Sequence, residues 1–405
     1  MPNQSLPDHI RIPHLRPIQP IMMHKDGKPL IALRDPSMLV NQTMVVSPQV
    51  MRVLQQFNGE HEVGVIAKGV GLPLAQLEAL AAGLDKLGLL WGPTFDAYET
   101  QLKARLEKTG AIPAGASATL GSTREEARRQ IDQWLAQTED AGLGTAVAGV
   151  VAPHLDYQRG WPNYAAAYKA LEGIERPDRV VILGTNHFGI GDGVVLTEYG
   201  FESPLGRSPA DGTNIGQLMK RLGPGLTVDQ LDHVAEHSIQ LHVPWVQHLW
   251  GDVPIIAALV PDPMAAMLAD DGKRVKADDF ASALAEVLAG AGGRTFFIAS
   301  ADLSHVGPQF GEPRPVDQQR KNDVELHDRE MMGKYLTADP EEFLGAMRWS
   351  SNPTRWCSVG NMLATLIAAQ PEAIELIDYR QACDDQGLCM VSSAAMGLVG
   401  GPTNA

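Results

Sequence analysis

A chain of 405 residues is long enough for two to three domains and a large buried core. Hydrophobic residues at 44% and charged residues at 20% exclude disorder, collagen and coiled coil, and a formal net charge of −15 opposes attraction to nucleic acid or anionic lipid. The longest apolar stretches fall far short of the roughly 18 residues of a membrane span, the start lacks the apolar core of a secretory signal, and three cysteines cannot build a disulfide framework, so a cytoplasmic protein is expected.

Pro29 to Leu33 and Met44 to Val46 read as short strands. Ser47-Pro48 ahead of Val50, Val53, Leu54 and Phe57 reads as an N-cap, a proline at the first helical position and one apolar face, stopped at Gly59. A second helix begins near Glu62, and a third carries Leu77, Leu80, Ala81 and Leu84 before Gly88 and the strand-like Leu89-Leu90-Trp91. This unit, residues 1–95, resembles a winged helix or the related PqqD-like peptide-binding domains. Its 8 Lys or Arg against 7 Asp or Glu give about +1, without the basic face of a DNA reader. Protein or peptide docking, or a purely structural appendage, is expected of it.

Residues 96–121, with GAIPAGASATLGS at 110–122, read as a linker. The second domain, 122–405, opens with a Ser122-x-x-Glu125 capping box and an apolar stripe of Ala127, Ile131, Trp134 and Leu135. Strand-like runs at 146–152, 179–184, 253–260 and 294–300 alternate with helical patterns at 163–171, 214–222, 238–250 and 278–288. That alternation predicts an α/β fold with a mostly parallel or mixed central sheet flanked by helices. The acidic helix near Asn322 to Glu330 reads as a solvated face. GIGDG at 189–193 falls short of a nucleotide-cradling loop.

In such sheets ligands bind beyond the carboxyl ends of the strands. There stand His154, closing GVVAPH, His187, closing VVILGTNH, and His305, after FFIASADLSH, with Asp302 three residues earlier. Any one such histidine is more often structural, but three of twelve at equivalent strand ends suit iron, zinc or copper. In EHSIQLHVPW, His237 and His242 are five apart and do not share a helical face, so this is no zincin motif. His237 can point into the cleft as a proton donor or substrate anchor, whereas His242 and His248 read as structural or surface residues. Cys357 precedes an apolar helix from about Val359 to Ala369, where the helix N-terminus favours a thiolate, as metal ligand or as nucleophile.

The blocks APHLDYQRGWPNYAAAYKAL, VVILGTNHFG, EHSIQLHVPWVQ and FIASADLSHVGPQFG, with the later Cys357, stand in the order and spacing of the Memo family, the B component of the AmmeMemoRadiSam system. The chain resembles that family over roughly residues 120–400. The resemblance implies a fold like the class III extradiol dioxygenases, with a non-haem iron site, copper or zinc being alternatives. It makes His154, His187 and Cys357 the metal ligands, with Asp302 and His305 beside them and His237 lining the pocket. It also implies a radical SAM enzyme and an AMMECR-type protein as partners, with an unknown small molecule as substrate. Family members usually read APHAGY where this chain has APHLDY at 152–157, which places Leu155 and Asp156 at the mouth of the site.

Three functions follow as expectations. The first is redox or dioxygenase-type chemistry at iron, with His305 or His237 as acid and base and Asp302 beside them. The second is hydrolysis, with Cys357 as nucleophile, His154 or His305 as base and Asp302 as orienter. The third is a non-enzymatic metal- or peptide-binding adaptor working with a radical SAM partner.

Overall fold

The computed structural model describes residues 6–401 except 26, 36–37, 41, 189–192 and 265–273, so the GIGDG stretch lies almost wholly outside the described residues. Residues up to Thr109 form one compact unit, and those from Gly110 onward, save a short stretch at 188–190, form the other. No helix among the described residues is long and apolar enough to cross a membrane.

In the first unit the elements are α1 (Asp8–Arg11), β1 (Gln19–Lys25), β2 (Lys28–Arg34), β3 (Met44–Val46), α2 (Val50–Leu54), α3 (Val63–Val70), α4 (Leu74–Lys86) and α5 (Pro93–Thr109). The three strands form one antiparallel sheet in chain order. Leu33 packs with Leu54, Phe57, Leu77, Ala81 and Leu84 in a single core, which the apolar spacing of α4 predicts. Helix α2 is shorter than expected and has no side-chain cap, Gln49 holding the cap position. Leu90 makes only an isolated bridge, to Leu15. Much of the expected linker is regular: α5 fills residues 93–109 with only Phe95 and Leu106 buried, two anchors too sparse to show as a period.

The second unit runs β4 (Ala111–Ile112), α6 (Arg124–Ala136), β5 (Val147–Ala152), α7 (Tyr157–Lys169), β6 (Arg179–Thr185), β7 (Val195–Leu196), β8 (Gly200–Ser203), β9 (Gly206–Ser208), α8 (Gly212–Leu222), α9 (Asp232–Ala235), α10 (His237–Gln240) and α11 (Val243–Trp250). It continues with β10 (Ile255–Val260), α12 (Ala277–Ala291), β11 (Thr295–Ser300), β12 (Asp302–Val306), α13 (Gln318–Tyr335), α14 (Pro340–Ser350), α15 (Val359–Ala369), β13 (Ala373–Cys383) and β14 (Met390–Val399). The capping box of α6 sits one residue later than predicted. Thr123 accepts from the Glu126 amide at 3.2 Å, and the Glu126 carboxylate accepts from Ser122 N at 2.9 Å.

The central sheet is mixed, in the order β12-β14-β5-β11-β6-β10-β7, with β13 pairing on β14. Strands β5, β11, β6 and β10 are parallel, whereas β14, β12 and β13 join antiparallel. All six residues of β5, β10 and β11 are buried, as strands covered on both faces must be. Val181, Leu183, Phe297 and Ala299 pack with residues of α12 and α15 in the main core. On the alternate positions, Phe296 meets Trp250 of α11, with ring centroids 4.9 Å apart. Since β11 lies between β5 and β6, chain leaving those two strands on the same edge flanks the end of β11, the crevice where ligands bind in open α/β sheets.

Helix α13 is not merely a solvated face. Its Asp328 is fully buried and accepts from Ser304 Oγ, Ser392 Oγ, Trp356 Nε1 at 2.7 Å and Tyr379 Oη at 2.8 Å. Four donors satisfy a carboxylate that pairs with no cation among the described residues.

Candidate metal centre

His154 follows β5 and is 1% exposed. Its Nδ1 lies 3.0 Å from the carbonyl of Ser300, the last residue of β11. A carbonyl only accepts, so Nδ1 carries the proton and Nε2 offers its lone pair. That nitrogen faces Cys357 Sγ at 3.3 Å. Asn361 of α15 donates to the same carbonyl at 2.7 Å and to Thr185 Oγ1 at 3.0 Å, while Thr185 Oγ1 donates to Cys357 O at 3.2 Å. One buried amide thus ties the ends of β6 and β11 to the helix that follows Cys357.

His187 follows β6. Its backbone N–H donates to Glu236 Oε2 at 2.7 Å and its Nδ1 lies 3.0 Å from Glu236 Oε1. The same Oε1 is 3.1 Å from His237 Nδ1 and accepts from Ser238 N at 2.9 Å, capping α10. Glu236, fully buried, therefore turns the Nε2 edges of two imidazoles away from itself. The three rings form a cluster, with centroids 5.0 Å apart for His154 and His187, 5.5 Å for His154 and His237, and 4.7 Å for His187 and His237.

One ligand atom from each of His154, His187 and Cys357 lies within 4.8 Å of the others, and the same holds for His187, Glu236 and His237. In the second group the Nδ1 contacts to Glu236 are hydrogen bonds, so Glu236 reads as the orienting carboxylate behind the imidazoles. The first group is a two-nitrogen, one-sulfur set suited to iron, zinc or copper.

Asp302, at the start of β12, accepts from His154 N at 3.1 Å and places Oδ2 3.7 Å from His154 Nε2. Burial raises its pKa to about 6. Burial lowers His154 well below the usual histidine value, helped by His187 and His237. Burial opposes the Glu236 carboxylate too, but the charges of His187 and His237 and the hydrogen bonds from them hold it well below the usual range. His237 is raised: burial opposes its charge, and Glu236 outweighs burial.

The expected lowering of the Cys357 thiol by a helix N-terminus is not what this site does. Burial, reinforced by the charge of Asp302, pushes the thiol up, a shift that a bound cation would reverse. The hydrolytic triad is also misassembled. In such triads the carboxylate holds the ring nitrogen opposite the base nitrogen, and here Ser300 O occupies that place while Asp302 sits on the Nε2 side.

His305 stands apart from the ligand groups. Its Nδ1 lies 3.0 Å from Leu303 O and 3.2 Å from Arg355 O, its ring packs edge-on against Phe310, and burial lowers its pKa to about 4. Asp156, expected at the mouth, caps α7 and pairs with Arg159. His242 is structural, buried with Nδ1 2.8 Å from Tyr168 Oη, and His248 is partly buried beside Asp132. Reading the histidines alone missed Glu236, although a carboxylate directly before His237 was a usable sign. Asn361 and Ser300 carried none.

The description "Memo-like protein" matches residues 112–397. A MEMO1 family protein of Methanothermobacter thermautotrophicus is 30% identical over 267 residues, 64% of this chain and 87% of its own length. One of Aquifex aeolicus is 24% identical over 330 residues, 80% of this chain and 83% of its own. One of Pyrobaculum arsenaticum is 34% identical over 167 residues, 41% of this chain, and the chain spans 56% of that relative's length. His154, His187, Glu236, His237, Asp302 and Cys357 all fall inside the matched span, and the chain belongs to the Memo-like family.

Proposed function

We propose that the second unit binds a redox-active divalent metal, iron first, through His154 Nε2, His187 Nε2 and Cys357 Sγ, for oxidative chemistry on a small molecule. The observation that carries this is the convergence of one ligand atom from each of His154, His187 and Cys357 within 4.8 Å, with both histidine Nδ1 atoms engaged by Ser300 and Glu236. The resemblance to class III extradiol dioxygenases points the same way. A bound metal supplies Lewis acidity and, if iron or copper, electron transfer.

The chain's own groups divide the remaining work. Asp302, with a pKa near 6 and an oxygen 3.7 Å from His154 Nε2, holds or yields a proton beside the ligand sphere near neutral pH. His237, whose pKa is raised by Glu236, is cast as the donor, and His305, lowered to about 4 by burial, as the acceptor. His154, Asp302, Ser300 and Asn361 form a buried back wall, while exposed His187 opens the site to solvent on its own side.

Anaerobic metal analysis of wild type against His154→Ala, His187→Ala and Cys357→Ala tests the reading. Near-stoichiometric iron lost in all three variants is expected, followed by oxygen uptake with a catechol panel. Iron indifferent to these residues would sink the centre, and a loaded centre inert to every catechol would sink the ring-cleavage version.

A further inference from the structure

Beside Cys357 lies a cavity of about 740 Å³, within the roughly 300–1,000 Å³ of small-molecule pockets. Pro263 and Met264 give it carbon surface, while Arg348 and Arg355 bring two guanidinium groups. The chain as a whole is strongly acidic, so a paired-arginine wall here is a local reversal of charge.

The loop carrying Arg355 is a built feature. Ser351, Asn352 and Arg355 sit at φ of 59°, 46° and 61°, a region that costs side-chain-bearing residues free energy and persists where surrounding contacts enforce it. Asn352 enforces it here: Oδ1 accepts from Trp356 N at 2.7 Å and Nδ2 donates to Trp356 O at 2.9 Å. Trp356 is in turn fixed through Nε1 to Asp328. The result is an Arg355 held over the same side of the fold as Cys357.

Its charge is only partly spent. Arg355 lies 4.0 Å from Glu312, and that carboxylate is already gripped by Arg320 at 2.5 Å. Arg348 makes no ion pair among the described residues. Asp262 is the acid on the wall, and its Oδ1 is occupied by Met264 N at 2.9 Å.

We infer that this cavity binds a small organic acid, its carboxylate gripped by Arg348 and Arg355 and its carbon body directed toward Cys357. Guanidinium groups match carboxylate geometry with paired hydrogen bonds, and the Pro263 and Met264 wall accepts the rest. This names the substrate class of the centre proposed above and rests on that reading for its chemistry, but not for its binding.

Saturation-transfer NMR on the metal-free full chain, with benzoate and the isosteric neutral benzamide as probes, tests it. Benzoate binds and benzamide does not; Arg348→Gln and Arg355→Gln each weaken benzoate about tenfold, while the control Arg159→Gln leaves it unchanged. Equal binding of both probes, no binding of benzoate, or indifference to the two substitutions overturns the inference. Displacement of benzoate by an equal concentration of inorganic phosphate overturns the carboxylate assignment in favour of a phosphorylated ligand. Iron content is measured separately, so a protein that loads iron but ignores benzoate sinks this inference alone. One that binds benzoate but holds no iron sinks the metal reading alone.

Discussion

The carboxylate of Glu236 grips His187 twice, at the backbone N–H at 2.7 Å and at ring Nδ1 at 3.0 Å. A contact to both backbone and ring fixes where the strand ends and which way the imidazole faces. Glu236→Gln keeps the shape but trades one charged acceptor for an amide donor. Metal affinity is expected to fall about 10–100-fold, as with other orienting partners of ligand histidines. Competitive titration with a chromophoric chelator reads it, and an unchanged affinity would show Glu236 to be a structural cap only.

Cobalt substitution separates the ligands from their neighbours. The Cys357→Ala protein should lose the thiolate-to-cobalt charge-transfer band, and His305→Ala should keep it, because His305 Nδ1 is engaged with backbone carbonyls and the residue lies outside the converging group. Loss of the band in His305→Ala would place that residue in the coordination sphere.

Asp328 anchors the tryptophan next to Cys357. Asp328→Ala takes an acceptor from four donors, of which Trp356 Nε1 and Ser392 Oγ are fully buried, while Ser304 Oγ keeps Thr354 and Tyr379 is only partly buried; the buried ones cost about 1–3 kcal/mol each. A loss of at least about 3 kcal/mol in urea unfolding is expected, together with weaker metal binding. A stability change within the ordinary surface range would contradict the role.

The pH dependence of stability has a defined sign. Burial lowers His242 to about 3 and His233 to about 4, whereas both titrate near 6.5 when unfolded. The unfolded chain therefore takes up protons first, so the stability these residues contribute is complete above pH 6.5 and is lost as pH falls toward the folded values. Each contributes up to about 1.4 kcal/mol per pH unit in that window. Urea unfolding at pH 7.5 and 5.5 should show a smaller drop for His242→Phe than for wild type.

Much of the second unit was legible because β5, β6, β10 and β11 are apolar runs separated by helical periods, and His154 and His187 each close such a run. The hairpin of β13 and β14 was not, since its alternating burial is blurred: β13 is half-exposed along its length while β14 is buried throughout. Residue 302 and residue 305 lie on one short strand with a register shift between them, so equal nearness in sequence did not give equal nearness to the centre. Asn361 and Asp328 were hidden for a different reason. Their partners lie tens to hundreds of positions away, and a polar residue inside a helix looks the same in sequence whether it meets water or three buried strands.

His154 and Cys357 stand 203 residues apart in the chain yet 3.3 Å apart in the fold. During synthesis His154 and His187 emerge long before the Cys357 thiol, and β14, which pairs with β5, comes later still. At the centre proposed above, the full ligand set would therefore exist only once the chain is complete through Cys357 and β14. A nascent chain, or one cut before Cys357, would carry His154 and His187 without the sulfur, so metal retention at the proposed centre would gauge chain integrity.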